Sequence, residues 1–309
     1  MRKYIFFALL VFCFVSCQDK IDIHNRLNGG QIQLVVDAFL HGNDSVNVPT
    51  VKLTTSQYFY DNSAPAPATG AVVTLVDLTS SKSYPFSEAY PGIYRITPAF
   101  SPEPSKDTVL SLGHAYRLEI HYQGEDYAAH SEMKRVVPID SIKFQHRKNA
   151  IGDEQKDYIA EFFATDPPGV GDRYWIRYYH NGVRDTSISY IGLGYDANAF
   201  PNGIADNEVF ILPLRQGYIN NLDHKWEDGD TIRVELFSIT DSTTQFLSQL
   251  STQSNIGQGG ALGALFSPPI ANIPTNIFNV NSNGKKAVGW FSVSAASSQS
   301  AVVPIDFRR

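Results

Sequence analysis

GAVVTLVDLTSSKSYPFSEAYPGIYRIT at residues 70–97 and SLGHAYRLEIHYQGEDYAAHSE at residues 111–132 carry the most regular pattern in the chain. In both stretches, aromatic-rich runs of alternating polar and apolar residues are separated by short turns, which is the signal of β-strands. Alternate residues such as Val72 and Val76 would share one face of a strand. Gly92 can supply the positive φ of a tight turn. Short strands at this spacing predict a β-sandwich of the immunoglobulin or transthyretin sort.

The same period of two continues on both sides of this region. IQLVVDAFL at residues 32–40 precedes it, and RYWIRYYHNGV and DTIRVELFSIT follow it. The pattern is interrupted around Pro138, which cannot donate a hydrogen bond to a central strand ladder. We therefore predict an all-β protein of two sandwich-like domains, an N-terminal one over residues 31–136 and a C-terminal β-rich one over residues 137–309.

One short helix is predicted in the second domain. In DSTTQFLSQLSTQ, residues 241–253, Phe246, Leu247 and Leu250 fall on one face at helical spacing. Asp241 can cap the first free amides of such a helix. We expect the apolar face to pack on the second sandwich, because an isolated helix of this length is marginal in water.

The start of the chain reads as a lipoprotein leader. Residues 3–17, KYIFFALLVFCFVSC, follow Arg2 with an apolar run too short to span a bilayer and end with a small residue before a cysteine. This pattern predicts a signal peptide over residues 1–16, lipidation of Cys17 and a short tether over residues 17–30. We therefore expect the protein to be held by acyl chains at a membrane surface.

Composition excludes several classes of function. The chain of 309 residues has a formal net charge of -6, and removal of a leader that contains Arg2 and Lys3 would make it more negative by two. An acidic chain without clustered Lys and Arg is not expected to bind nucleic acid. Of the two cysteines, Cys13 would leave with the leader and Cys17 would carry lipid. Disulfides, thiolate nucleophiles and cysteine metal sites are therefore not expected.

Motifs for catalysis are missing from the sequence. There is no GxSxG pentapeptide of the kind that holds a serine nucleophile, and the eight histidines form neither HxH nor HxxxH. We therefore predict no catalytic residue, no cofactor and no enzymatic activity.

Two acidic turns could offer oxygen ligands to calcium. Asp228 and Asp230 flank a glycine, and Asp166 and Asp172 flank a stiff Pro-Pro segment. The twelve-residue calcium-loop pattern is absent at both places, and each reads more simply as a turn or a loop. No metal site is therefore predicted, although calcium at either turn stays an alternative.

Exposed aromatic residues are the candidates for ligand binding. Aromatic residues make up 12% of the chain, and a period of two sends about half of those on strands into the core. Trp226 lies beside an acidic turn and off any clear strand period, so we expect it to be exposed. Tyr195 and Trp290 are the other candidates. Two long irregular stretches, residues 187–217 and 257–283, could build a binding surface around such residues.

Several motifs together indicate a family. In chain order, after the cysteine and IDI, they are LVVDAFL, PATGAVVTLVD, YPGIYRIT, PIDSI, FATDPPGVGDRYWIRYYHNGV, EDGDTIRVELFSIT, SPPIANIPTNI and GWFSVSA. Their order and spacing resemble the outer-membrane lipoproteins of the Bacteroidota grouped as domain of unknown function 4249 (DUF4249). The resemblance implies a two-part β-rich protein at the outer membrane, encoded next to a TonB-dependent receptor. It implies no catalytic residues.

The sequence and this resemblance lead to one expected function and two alternatives. We expect an outer-membrane lipoprotein, facing the cell surface, that acts as a non-enzymatic accessory or ligand-capture subunit of a TonB-dependent receptor system. A surface adhesin or assembly component with spacer sandwiches is the first alternative. An enzyme acting on polysaccharide or peptide is the second, and it would need two carboxyls about 5 to 10 Å apart in a cleft.

Overall fold

The computed structural model describes residues 31–42, 48–58, 61, 63–96, 109–187, 191–201, 206–221, 224–254 and 273–305. The predicted leader, Cys17 and the tether lie outside these residues, as does most of the irregular stretch 257–283. In the described part, no helix is both long and apolar enough to cross a membrane.

The described residues up to position 132 form seven β-strands. These are β1 (Leu34–Gly42), β2 (Thr50–Thr55), β3 (Val72–Asp77), β4 (Lys82–Tyr90), β5 (Ile93–Ile96), β6 (Ala115–Tyr122) and β7 (Glu125–Glu132). In β3 buried and more exposed positions alternate, and Val72 and Val76 lie on the more exposed face, as the period of two predicts.

The rest of the described chain adds eight strands and two helices. The strands are β8 (Ser141–Lys148), β9 (Glu154–Phe163), β10 (Arg173–His180), β11 (Val183–Arg184), β12 (Gly192–Tyr195), β13 (Thr231–Ser238), β14 (Phe278–Asn279) and β15 (Ala287–Val302). The helices are α1 (Leu212–Gly217) and α2 (Asp241–Ser254). The mainly β class is therefore confirmed.

The helix predicted over residues 241–253 is confirmed as α2, but the prediction of a single helix is wrong. The second helix, α1, lies within the stretch that the sequence showed as irregular, because its six residues are too few to display an apolar period. The cap of α2 is also different from the expected one. The hydroxyl of Thr240 accepts a hydrogen bond from the Thr243 N–H at 3.2 Å, while Asp241 lies in the first turn.

Thirteen of the described strands belong to one mixed sheet. Its order is β11-β10-β13-β15-β1-β2-β5-β4-β3-β6-β7-β14, with β12 paired to β10. β1 and β15 run parallel, whereas β1 is antiparallel to β2 and β15 is antiparallel to β13. β8 and β9 form a separate antiparallel pair.

The long strand β15 pairs with strands from both halves of the chain. Its residues 287–295 pair with β1, and its residues 296–302 pair with β13. Gly289 permits the close approach to β1, because a Cβ at this position would lie 1.9 Å from the Val36 carbonyl oxygen. A single strand therefore contacts both the first and the second half of the fold.

The buried apolar residues form two main clusters. Leu53, Leu118 and Phe291 belong to the first cluster, and Phe162 and Leu236 belong to the second. Phe291 comes from the far side of the predicted boundary at residues 136 and 137, because β15 lies beside β1. The division into two separate sandwich domains therefore stays a prediction.

The turns follow the chemistry expected from the sequence. Gly92 has φ of 72°, and a Cβ there would lie 2.5 Å from the Leu53 carbonyl oxygen. Asn181 and Gly182 both have positive φ and connect β10 to β11 in a two-residue hairpin.

Candidate functional site: a cavity beside β1 and β10

A cavity of about 670 Å³ lies against β1, β10 and α2. Alternate residues of β1, such as Phe39, and of β10, such as Trp175, line it. Their neighbours Leu40 and Tyr174 point the other way into the two cores. Phe39 and Trp175 therefore lie on the sides of their strands that face away from the two main cores, as the alternation of side chains along a strand requires.

Aromatic rings build the apolar wall of this cavity. Phe39 and Trp175 meet edge to face with ring centroids 5.4 Å apart. Phe246 of α2 stacks on Trp290 of β15 at 4.5 Å and lies 6.4 Å from Phe39. Such rings offer flat apolar surface to a ligand at a low cost in side-chain entropy.

Trp290 is held firmly within this wall. It is 5% exposed, and its indole N–H donates a hydrogen bond of 3.0 Å to the Thr243 hydroxyl. Among the ligand candidates taken from the sequence, Trp290 is therefore placed at the cavity, with only a small part of its surface accessible.

Arg177 forms the polar side of the cavity. Its Nη2 donates to Glu235 Oε2 at 3.1 Å, and its guanidinium lies 3.9 Å from the Phe237 ring centroid and 4.8 Å from that of Trp175. Burial outweighs the Glu235 charge and lowers the pKa of Arg177. Its Nε has no hydrogen-bond partner among the described residues. The Nε itself is buried, so it is the guanidinium as a whole that gives this side of the cavity its positive charge.

His41 lies on the same side of the cavity. Burial, together with the positive charges of Arg177 and Arg184, lowers the pKa of His41 to about 3, so that its ring is neutral at pH 7. Its Nδ1 is buried without a hydrogen-bond partner in the described structure. The ring packs against Phe237 at a centroid distance of 4.1 Å.

Two carboxyls complete the lining, and their pKa values move in opposite directions. Asp37 is an exposed residue of β1, but the protein around its carboxyl partly removes water from it and so raises its pKa, while the charges of Lys52 and Arg184 act in the opposite sense. Burial alone would also raise the pKa of Asp185. Hydrogen bonds from Tyr178 and Ser187 outweigh it and lower that pKa.

The expected exposure of Trp226 is wrong. Its side chain is 1% exposed, its indole N–H donates to the Ile219 carbonyl at 3.1 Å, and its ring lies 4.1 Å from that of His180. A bridge between Trp226 and Tyr158 of β9 covers it. The sequence could not reveal this contact, because Trp226 lies outside the regular strands. Its role in ligand binding stays a hypothesis, to which this burial gives no support.

Tyr195 lies at the end of β12, outside the set of described residues that line the cavity. Its ring is partly buried against the cluster that contains Leu193. The Arg173 guanidinium lies over this ring, 5.3 Å from its centroid. The three aromatic candidates from the sequence are therefore not gathered into one site.

The acidic turn around Asp230 is filled by protein donors. Asp230 accepts hydrogen bonds from His180, Asn181 and the Glu227 N–H at distances between 2.8 and 2.9 Å. These bonds stabilise the turn before β13 and give both oxygens of Asp230 protein donors.

Sequence reasoning missed most of the cavity lining. Asp37, Phe39, His41 and Arg177 occupy the outward positions of β1 and β10, and a period of two shows only that they share a side of their own strand. That β1 and β10 lie on either side of β13 and β15 in one sheet is a long-range feature without a local signal.

Comparison with known proteins identifies a family. No curated protein matches the sequence. The family model described as "Domain of unknown function (DUF4249)" matches residues 21–300, which include every element of the cavity. The chain therefore belongs to the DUF4249 family.

Proposed function

We propose that this protein is an outer-membrane lipoprotein that captures a small ligand in the cavity beside β1 and β10, as a non-enzymatic accessory subunit of a TonB-dependent receptor. The observation that carries the proposal is the cavity itself, with an aromatic wall on one side and Arg177 and His41 on the other. Ligand sites in proteins are commonly of this size and this mixed character.

The chemistry of the lining defines the ligand class. The rings of Phe39, Trp175 and Phe246 suit an apolar or flat face, such as an aromatic ring or the carbon face of a sugar. The guanidinium of Arg177 suits an acceptor group such as a carboxylate or carbonyl. An amphipathic molecule with both features is therefore the expected cargo.

Occupancy of the cavity can be tested with 1-anilinonaphthalene-8-sulfonate, an aromatic anion that fluoresces in apolar sites. Leu250→Trp would fill the cavity from α2 and is expected to weaken binding about tenfold, because the probe loses its apolar contacts. Leu112→Trp is the matched control, since Leu112 is 59% exposed and is not part of the lining. Equal affinity in both variants would place the probe elsewhere.

Lipid anchoring is tested by substitution of the cysteines. Cys17→Ala is expected to move the protein from the membrane fraction to the soluble fraction, because no thiol remains for acylation. Cys13→Ala should leave it in the membrane, since Cys13 would be removed with the leader. Membrane retention of Cys17→Ala would contradict the anchor. Protease accessibility on intact cells then tests the surface orientation.

The partner is tested by affinity purification from detergent-solubilised outer membranes, with a C-terminal tag that leaves Cys17 to be processed. A TonB-dependent receptor recovered in stoichiometric amount is the expected result, and its cargo would identify the ligand. Recovery of the lipoprotein alone, in mild detergent and after crosslinking, would refute the accessory role and favour an adhesin.

A second candidate, hydrolysis of a glycoside, is favoured by the two cavity carboxyls. Asp37 and Asp185 both line the cavity, and carboxyls with pKa values moved in opposite directions are the pattern of a general acid with an ionised partner. Release of p-nitrophenol from p-nitrophenyl glycosides by the wild type, lost in Asp37→Asn and kept in Asp126→Asn on the surface, would support it. No turnover by the wild type on a broad glycoside panel would remove it.

A further inference from the structure

Three carboxylates from separate segments meet away from the cavity. Asp166 follows β9, Asp172 precedes β10, and Asp196 follows β12. One oxygen of each lies within 4.8 Å of the other two. Two oxygens bound to one calcium ion at 2.3 to 2.6 Å can be at most about 5 Å apart. The spacing of the three carboxylates therefore fits a single calcium ion.

Asp166 provides a second, independent observation. Its side chain is 0% exposed, and its Oδ1 accepts a hydrogen bond from the Tyr174 hydroxyl at 2.8 Å. Its Oδ2 has no hydrogen-bond partner among the described residues. A buried acceptor without a partner is costly, and such an atom in a native protein commonly indicates a ligand or ion.

Among the described residues, the two nearby guanidinium groups form ion pairs with other carboxylates and not with Asp166. Arg135 binds Asp172, with Nη2 to Oδ2 at 2.6 Å. Arg173 is 3.9 Å from Asp196 and closer, at 2.9 Å, to Asp241. Asp166 Oδ2 therefore has neither a hydrogen bond nor an ion pair among the described residues.

The loop geometry leaves oxygens free on Asp196 as well. Its Oδ1 accepts the N–H groups of Gly171 and Asp172, each at 2.7 Å. Its Oδ2 has only the distant Arg173 contact. Since the donors are all oxygens, with no histidine or cysteine in the group, the site suits a hard cation rather than zinc.

We propose that Asp166, Asp172 and Asp196 form a structural calcium site that ties the segments after β9 and β12 to the start of β10. The inference goes beyond ligand capture and does not depend on it, because none of the three carboxylates lines the cavity. The ion would neutralise the buried carboxylate and would stabilise the folded state over the unfolded one by mass action.

The test uses the full-length lipoprotein in detergent, stripped with EDTA and then titrated with CaCl2 alone. We expect heat of binding with a stoichiometry near one, and a rise in Tm of about 5 °C once calcium is far above its Kd. A parallel titration with MgCl2 checks selectivity. The proposal would be overturned if millimolar calcium produced no heat of binding and no change in Tm.

Asp166→Asn is the decisive variant, because the amide can still accept the Tyr174 hydrogen bond but carries no charge. It is expected to fold, since it relieves repulsion from Asp172 and Asp196, and to lose the calcium shift. Asp77→Asn is the control, since Asp77 is equally buried but lies in a turn satisfied by Thr79, Ser80 and His114. The calcium-induced rise in Tm should persist in Asp77→Asn.

Should Asp166→Asn fail to fold, Asp196→Asn is measured in its place. A full calcium response in the variant measured would refute the site.

Discussion

Tyr94 shows how one hydroxyl can connect separate segments of this fold. The side chain is fully buried, and its hydroxyl donates to the Ala68 carbonyl at 2.7 Å and accepts from the Ala71 N–H at 3.0 Å. Tyr94→Phe removes the partner of both backbone groups, of which the Ala68 carbonyl is buried and the Ala71 N–H is partly buried. We expect it to lower the free energy of unfolding by about 2 kcal/mol.

Urea denaturation measures this effect, and Tyr90→Phe is the matched control. Tyr90 is 63% exposed on the neighbouring strand, so the same chemical change there should cost less than about 0.5 kcal/mol. Similar losses in both variants would show that the hydroxyl of Tyr94 is not the source of stability.

Asp77 gives a prediction on pH. Burial would raise its pKa, but the hydrogen bonds from Ser80, His114 and Thr79 outweigh burial and lower the pKa from 3.8 to about 2. A carboxyl whose pKa is lower in the folded state stabilises it above pH 4, and this contribution is lost as the pH falls from about 4 to 2.

The expected loss over that interval is about 2 kcal/mol in the free energy of unfolding. Urea denaturation at several pH values between 5 and 2 would measure it, with Asp77→Asn showing a correspondingly flatter profile. Parallel profiles for the wild type and the variant would contradict the assignment to Asp77.

At the scale of elements, the start of α2 depends on Thr240. Thr240→Ala removes the hydroxyl that accepts the Thr243 N–H, and we expect a loss of about 1 kcal/mol in the free energy of unfolding. Thr240→Ser keeps an oxygen in place and should retain most of the stability. If the two variants lose equally, the hydroxyl is not the cap.

The elements also show what a sequence can predict. α2 was predicted within one residue, because Phe246, Leu247 and Leu250 repeat at helical spacing. The turn at Gly92 was predicted because few residues other than glycine tolerate its φ of 72°. The cap was misplaced by one residue, since Thr240 and Asp241 are both good capping residues and only the backbone decides between them.

At the scale of the whole molecule, the sequence does not predict which residues far apart in the chain come into contact. β1 and β15 lie at opposite ends of the chain and pair in parallel, without any turn to fix their register. The cavity depends on this pairing, because β15 brings Trp290 to Phe246. Asp196 likewise reaches Asp166 only through folding, so the sequence showed the Asp166 and Asp172 pair without its third member.

The sharing of β15 leads to a prediction about cooperativity. Residues 287–295 of this strand pair with β1 beside the first core, and residues 296–302 pair with β13 beside the second. Unfolding of either core would therefore remove half of the hydrogen bonds that order β15. We expect calorimetry to show one transition rather than two.

Two truncations of fully buried leucines test this coupling, Leu53→Ala in the first core and Leu236→Ala in the second. Each creates a cavity and should cost about 2 to 5 kcal/mol, so each should lower the Tm of the same single transition. Leu112→Ala, at an exposed position, should leave the Tm of this transition unchanged. Two resolved transitions, with Leu53→Ala moving only one and Leu236→Ala only the other, would mean that β15 does not couple the cores. The halves would then behave as the two independent domains that the break at Pro138 predicts.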